Sequence, residues 1–212
     1  MNKVYLITGI AGFIGSHIAE ELLKNPNNLV IGLDNFYSGY QKNIDIIASD
    51  NLVFYNGDIR DDGILTQIFS KHKVEYIFHE AAVASVQKSI DDPVLSNDVN
   101  VRGTLKLLNF ARLNGVKRMV FASSAAIYGD EPTLPKNEQS IIQPISPYGY
   151  EKLMSEQYMD LYSQLFNLET INLRYFNIYG PRQDPSSEYS GVISIFEEKF
   201  SKNECPTIYG SG

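Results

Sequence analysis

The sequence is poor in cysteine, histidine and basic residues, and each shortage removes a class of function. Cys205 is the only cysteine, so neither an intrachain disulfide nor a cysteine-rich zinc site can form, and a reducing compartment fits. The three histidines, His17, His72 and His79, are too scattered to suggest a metal cluster, so no metal is expected. The 18 Lys and Arg are outnumbered by 25 Asp and Glu, giving a net charge of −7. Phosphate backbones are gripped by clustered cations, so a general nucleic-acid binder is excluded, and an anionic small ligand has to be held by local dipoles and a few cations. No apolar run approaches the roughly 20 residues of a membrane span, and no signal segment precedes Val4. The expectation is a cytoplasmic protein with no membrane partner. What remains is an ordinary globular composition, 43% hydrophobic over 212 residues, enough for one sizeable core and part of another.

The stretch Val4-Tyr5-Leu6-Ile7-Thr8-Gly9-Ile10-Ala11-Gly12-Phe13-Ile14-Gly15 organises the rest. An apolar, β-branched run stops at a glycine turn, and a helical stripe (Ile14, Ile18, Leu22) starts within that turn, which reads as strand, phosphate loop, helix. Gly9 permits the sharp turn, Gly12 lets the backbone approach a pyrophosphate, and Gly15 lets the helix lie close to the strand. The N–H groups of the first helical turn, at Phe13 and Ile14, are offered to the phosphates. The spacing is one residue wider than GxGxxG, and glycine loops also end strands for structural reasons. The second strand adds weight: Leu29-Val30-Ile31-Gly32-Leu33 ends at Asp34, about 20 residues past the loop, where a carboxylate accepts from the adenosine ribose hydroxyls. It would also repel a 2′-phosphate, and no arginine follows nearby, so NAD is expected rather than NADP. The plainer alternative is that Asp34 only caps the loop Asn35-Phe36-Tyr37-Ser38-Gly39.

The alternation continues. Leu52–Tyr55, Tyr76–His79, Met119–Ala122 and Thr170–Tyr175 read as strands, and Ile64, Leu65, Ile68 and Phe69 form a helical stripe. A long helix is expected from about Asn97 to Asn114. Its apolar arc (Val101, Leu105, Leu107, Leu108, Phe110, Ala111) is wider than one sheet contact needs, which leaves either a second contact surface or a deeper core. A polar, proline-rich loop runs from Gly129 to Pro147, where Pro147 is placed to open the next helix. Strands separated by helices imply right-handed crossovers and an α/β, doubly wound parallel sheet of Rossmann type, covered on both faces. Ligands on such a sheet sit beyond the carboxyl ends of the strands, where Gly9, Asp34, Asp58, His79, Ser124 and Tyr175 fall. Residues 1–180 make this domain. Residues 181–212 change pattern, with Pro185-Ser186-Ser187, a helix through Val192, Ile195, Phe196 and Phe200, and a strand in Pro206–Gly210; they begin a small substrate-binding region.

The reactive constellation is Tyr148-Gly149-Tyr150-Glu151-Lys152 with Ser123 and Ser124. Tyr148 and Lys152 are four apart, so they share a helix face, and Ser124 ends the adjacent strand. Oxidising a carbinol needs a base for the O–H proton and an acceptor for the C–H hydride. Lowering a phenol pKa from near 10 by about three units requires roughly 4 kcal/mol of preferential phenolate stabilisation. The Lys152 ammonium and a positively charged nicotinamide can supply that field, while Ser124 steadies the substrate oxygen. A bare YxxxK pair is common by chance; its place after the serine-bearing strand of a nucleotide-binding sheet favours chemistry.

With these motifs stand Gly57-Asp58-Ile59, His79-Glu80-Ala81-Ala82, Asn100-Val101-Arg102-Gly103-Thr104, Ser123-Ser124-Ala125-Ala126-Ile127-Tyr128-Gly129 and Arg174-Tyr175-Phe176-Asn177-Ile178-Tyr179-Gly180-Pro181. Together they resemble the extended short-chain dehydrogenase/reductases, in the NAD-dependent epimerase/dehydratase family, and within it the UDP-sugar 4-epimerases. The resemblance implies a tightly held NAD, reduced and reoxidised within one turnover, with Tyr148 taking the proton of the sugar 4′-hydroxyl and a 4-keto sugar turning over in the pocket. It implies cofactor contacts at Gly9, Gly12, Phe13, Ile14, Gly15, Asp34, Asn35, Ser38, Gly39, Asp58, Ile59, Ala81, Ala82, Asn100, Ser123, Tyr148, Lys152 and Tyr175. Ser124, Tyr148 and Asn177 would face the UDP-sugar, and a homodimer would pair through the Asn97–Asn114 and Tyr148 helices.

Departures from the pattern carry information too. Sugar-nucleotide 4,6-dehydratases usually have Asp-Glu after the catalytic Ser or Thr, a pair that handles protons during elimination; here Ala125 and Ala126 stand there, which leaves net epimerisation. Glu80 occupies a position often apolar or Gln. Relatives continue past a YGxG like Tyr209-Gly210-Ser211-Gly212. The leading expectation is a 4-epimerase of UDP-glucose/UDP-galactose or the N-acetyl forms. The others are a different NAD-dependent sugar-nucleotide enzyme (a reductase or uronate epimerase) and a non-catalytic NAD-binding module.

Overall fold

The computed structural model describes residues 3–184 and 192–208. Contacts divide the chain into two compact units, Met1–Tyr175 and Phe176–Gly212. In the first, β1 (Lys3–Thr8), β2 (Asn28–Asp34), β3 (Leu52–Asn56), β4 (Tyr76–His79), β5 (Arg118–Ser124) and β6 (Glu169–Tyr175) form one sheet in the order β3-β2-β1-β4-β5-β6. Every neighbouring pair is parallel. The order reverses beside β1, so the glycine turn and the end of β4 open into one crevice.

Alternation along each strand sorts the core onto two faces. Leu6, Ile31, Leu33, Ile77, Met119 and Phe121 face α3 (Asp62–Lys71), α6 (Thr104–Leu113) and α7 (Pro147–Phe166), meeting Leu65, Leu107, Leu108 and Met159. On the other face Ile7, Ile10 and Val30 meet Ala19 of α1 (Phe13–Leu23) and Ile44 of α2 (Gln41–Ile46). That second face is closed over β1 to β3 but not throughout. On β6, Ile171 and Leu173 are each 39% exposed within this chain.

The expected Asn97–Asn114 helix is not one α-helix. After the short α4 (Val86–Asp91) and α5 (Pro93–Asn97) the chain widens into a π-helical segment, Asp98–Gly103, before α6. Here the Asn100 carbonyl accepts hydroxyl hydrogen bonds from Thr104 at 2.6 Å and Ser155 at 3.0 Å. Such side-chain bonds compete with the regular ladder, and π-bulges of this kind gather at functional sites. Leu107, Leu108 and Ala111 of the broad arc are fully buried while Val101, Leu105 and Phe110 are half-buried, so most of the arc is core. α7 opens at Pro147 as read, capped by Ser146, whose hydroxyl accepts the Gly149 N–H at 3.1 Å.

The second unit contains α8 (Val192–Ser201), matching the expected stripe, with the Ser194 hydroxyl donating to Gln183 at 2.9 Å. Pro206–Ile208 is irregular where a strand was expected. Pro185, Ser186 and Ser187, and Tyr209 to Gly212, lie outside the described residues.

Candidate active site

The glycine loop separates into two jobs. Gly9 adopts φ +72°, and its amide donates to the Leu33 carbonyl at 2.8 Å, tying the loop to β2. A Cβ on Gly9 would lie 2.7 Å from the Ala81 nitrogen, and one on Gly15 only 2.3 Å from the Gly9 oxygen. Both are therefore demanded by the fold. A Cβ on Gly12 would meet only the Gly9 oxygen, at 3.2 Å, so that position opens outward. No side chain caps α1 at Gly12, which leaves the amides of its first turn, at Phe13 and Ile14, facing away from the helix.

Asp34 is buried, and its carboxylate accepts the Ala11 N–H at 2.9 Å and the Phe36 N–H at 2.8 Å. It does act as a loop cap. A carboxylate offers about four acceptor positions, so others remain; burial pushes its pKa up. Gly39 lets the following loop rest on Ala11, whose carbonyl accepts the Tyr40 N–H at 3.0 Å, while Asn35 and Ser38 are exposed. Asp58 is saturated: Arg60 reaches it through its backbone N–H, Nε and Nη2 at 2.8–2.9 Å, and Asn35 donates at 3.0 Å. The guanidinium holds the Asp58 pKa below the usual range. Ile59 is buried in the core against the π-helical segment, so only its backbone is free to serve a ligand.

The floor of the crevice is a buried polar chain. Thr104 gives its proton to Asn100 O, so His79 Nε2 must donate to Thr104 Oγ1, at 2.9 Å, and Nδ1 must accept from Thr8 Oγ1, at 2.7 Å. Thr8 Oγ1 in turn accepts the Ala81 N–H at 3.3 Å, and Ala82 follows at the crevice edge. Complete burial holds the imidazole neutral, with its pKa down to about 3. The Asn100 side chain clamps Val83 through both backbone groups, at 2.8 and 3.0 Å, and donates to Glu151 at 2.7 Å. Its amide is fully committed within the protein, so any influence on a cofactor passes through the Val83 backbone.

Above the end of β5 sit the reactive groups. The buried Lys152 amine donates to Ala122 O at 2.7 Å and lies 4.8 Å from the Phe121 ring centre and 5.6 Å from that of Tyr148. Burial brings it down to about 8, with Glu80, Glu151 and Glu156 pulling upward. The Tyr148 phenol is raised by burial, while a hydrogen bond from Ser124 lowers it. Ser124 also accepts the Ala126 N–H at 3.1 Å, which starts the one-turn helix Ala125–Tyr128. Ser123 is buried and donates to Glu156, itself paired with Arg174 at 2.9 Å. The Tyr175 hydroxyl donates to Glu80 at 3.4 Å. Asn177 lies in the second unit and is exposed.

The sequence reading missed Glu151 and Glu156, both buried on α7. Their signal was present in the spacing. Tyr148, Glu151, Lys152, Ser155, Glu156 and Met159 recur at i, i+3, i+4, i+7, i+8 and i+11, an inward stripe that is polar except at Met159. Among the described residues no His/Cys/Asp/Glu group could hold a metal ion, and no helix is long and apolar enough to cross a membrane.

Comparison with known proteins adds a second line of argument. The model of the NAD-dependent epimerase/dehydratase family matches residues 5–212. A Methanocaldococcus jannaschii protein, provisionally named UDP-glucose 4-epimerase, is 45% identical over 208 residues, 98% of this chain and 66% of the relative. The Thermotoga maritima UDP-glucose 4-epimerase with UDP-glucose superposes with a TM-score of 0.91 at 41% identity, over 99% of this chain and 66% of that one. The Thermus thermophilus UDP-glucose 4-epimerase complexed with NAD gives 0.87 at 40% identity, over 97% and 65%. The chain thus spans about two thirds of the length of these relatives.

Proposed function

This chain belongs to the NAD-dependent epimerase/dehydratase family, and on that premise we propose that it carries the cofactor-binding and acid–base machinery of a UDP-sugar 4-epimerase. The observation that carries this reading is the convergence of Ser124, Tyr148 and Lys152 at the carboxyl end of β5, with alanines at 125 and 126 where elimination chemistry wants acids.

The residues fit NAD. The open position at Gly12 and the uncapped start of α1 suit a pyrophosphate, and Asp34 keeps acceptor capacity for ribose hydroxyls. Asn35, Ser38 and Gly39 would flank that ribose and Asp58-Ile59 the adenine, Asp58 by giving up its Asn35 partner. Ala81, Ala82, Lys152 and Tyr175 would line the nicotinamide end, supported by Asn100 and Ser123. When bound, NAD supplies a reversible acceptor for the C4 hydride.

The chain's own groups manage the proton. Tyr148 takes it from the sugar 4-hydroxyl as C4 becomes a ketone, and Ser124 donates to the same oxygen and steadies its charge. Lys152 contributes the positive charge that favours phenolate over phenol. Once the 4-keto sugar has turned over, Tyr148 returns the proton to the oxygen while C4 would regain the hydride on its opposite face, so that its configuration is inverted. Asn177 would contact the UDP diphosphate. The substrate is UDP-glucose/UDP-galactose or the N-acetyl pair, and the protein works in the cytoplasm. A homodimer through the Asn97–Asn114 stretch and α7 would use the half-buried Val101 and Leu105 and the exposed Leu161 and Leu165; a sedimentation mass of one chain would refute it.

C4 inversion of UDP-galactose and UDP-N-acetylglucosamine, followed by proton NMR, tests the main reading with Tyr148→Phe alongside. The variant should retain NAD and lose roughly 10²- to 10⁴-fold in rate. Inversion at parental speed would sink the proposal. Bound NAD without inversion would instead indicate a non-catalytic module, and consumption of added NADH a reductase.

A further inference from the structure

Glu80 has no part in the reaction described above, yet three strands bring it into the site. β4 ends with His79 in register with Phe121 of β5. Glu80 is therefore next in line with Ala122, whose carbonyl accepts the Lys152 amine. From β6, Tyr175 donates its hydroxyl to Glu80 Oε1 at 3.4 Å. The carboxyl thus reaches across the end of β5, the strand whose Ala122 carbonyl holds the Lys152 amine, to a phenol on β6.

We propose that Glu80 is a positioning residue, steadied by Tyr175, whose carboxylate keeps the Lys152 amine an ammonium ion beside Tyr148. The proposal rests on the reading of Ser124, Tyr148 and Lys152 as the acid–base centre. Among the described residues the buried ammonium donates to one carbonyl and lies near two aromatic rings, which do not replace its hydration. An opposite charge is needed to hold the proton.

Three carboxylates act on Lys152 through their charge: Glu80 from the end of β4, and Glu151 and Glu156 from its own helix α7. Glu151 is engaged by Ser96 at 2.7 Å and by Asn100. Glu156 is paired with the Arg174 guanidinium and with Ser123. His79 is neutral, and burial raises the phenols of Tyr148 and Tyr175, keeping them uncharged. Of the three, Glu156 is offset by a guanidinium and Glu151 accepts two short hydrogen bonds through one oxygen, whereas Glu80 is held by the Tyr175 hydroxyl at 3.4 Å, which leaves its charge the least engaged elsewhere. Burial lifts Glu80 to about 7 while the charge of Lys152 pulls it back, so each charge favours the other: as pH falls Glu80 takes up a proton, and as pH rises Lys152 loses one.

The test titrates Lys152 directly, in the chain with lysine carbon-13 labelled at Cε, by NMR from about pH 5 to 11. Its resonance is assigned by disappearance in Lys152→Met. Glu80→Gln keeps the shape and removes the charge; it should lower the Lys152 midpoint by roughly one pH unit, a tenfold change in proton affinity. Tyr175→Phe leaves the carboxyl but removes its donor, favouring the uncharged acid, and should lower the same midpoint by less. If Glu80→Gln fails to fold by circular dichroism, Tyr175→Phe carries the test. A midpoint unchanged from the parent in the folded variants overturns the proposal. Because the titration requires no turnover, a Lys152 shift in a chain that inverts no sugar would sink the epimerase reading and leave the pairing standing. Turnover with no shift would do the reverse.

Discussion

Replacing Gly12 with alanine should separate cofactor retention from folding. Gly12 has φ −78° and ψ 178°, which any residue adopts, and a new Cβ would touch only the Gly9 oxygen, at 3.2 Å. The cost to the fold is at most about 1 kcal/mol, roughly 2–4 °C in Tm for a chain of this size. Gly15→Ala is the contrast. Its Cβ would lie 2.3 Å from the Gly9 oxygen and 2.9 Å from Ile10 Cα, so α1 has to back away from β1. That overpacking costs about 1–3 kcal/mol or more, roughly 2–12 °C. Gly115→Ala controls for the loss of a glycine: at φ +68° with nothing within 4 Å, it pays only the left-handed penalty of about 1 kcal/mol. The assay is thermal unfolding followed by circular dichroism, with and without NAD. A ligand at about 100 times its Kd stabilises by about 2.7 kcal/mol, roughly 5–11 °C here. The parent and Gly115→Ala should show that rise, while Gly12→Ala should melt near the parent without NAD and gain nothing with it. A parental NAD-dependent rise in Gly12→Ala would refute the assignment of Gly12 to the pyrophosphate.

Two further outcomes follow from the buried polar chain. His79 has a folded pKa of about 3 against about 6.5 unfolded, so the folded state binds fewer protons. Its contribution is whole above about pH 6.5 and is lost as pH falls, by up to about 1.4 kcal/mol per pH unit. Urea unfolding between about pH 7 and 5 should show the decline, and His79→Gln should flatten it; an equally steep decline without the imidazole would contradict this. Asn100→Ala strips Val83 of two partners and Glu151 of one, which should cost roughly 2–4 kcal/mol. A urea midpoint indistinguishable from the parent would show that the clamp contributes nothing.

The sheet was legible because its signals are local. Each strand is a short apolar run closed by a turn residue, and each surface helix has a stripe at the helical period. What was illegible depended on contacts between segments distant in sequence. The Asn97–Asn114 pattern looks like one helix, and only Thr104 and Ser155 converging on the Asn100 carbonyl show why it widens into a π-turn. Asp58 looked free to serve adenine until Arg60 and Asn35 closed around it. Glu80 stands out in the sequence only as a departure from a motif, because nothing near it reveals the Tyr175 hydroxyl from the far side of β5.

The sequence by itself determined the order of elements, the glycine turn, the acid at the end of β2 and the pairing of Tyr148 with Lys152 on one helical face, since backbone sterics and helical periodicity act over a few residues. Tertiary structure decided which of those polar groups are exposed to a ligand and which are consumed by each other. Hydrogen-bond partners and desolvation are set by whatever lies across the crevice, and the residues that meet there, Thr8 with His79, Asn100 with Glu151 and Glu80 with Tyr175, are 71, 51 and 95 positions apart in the chain.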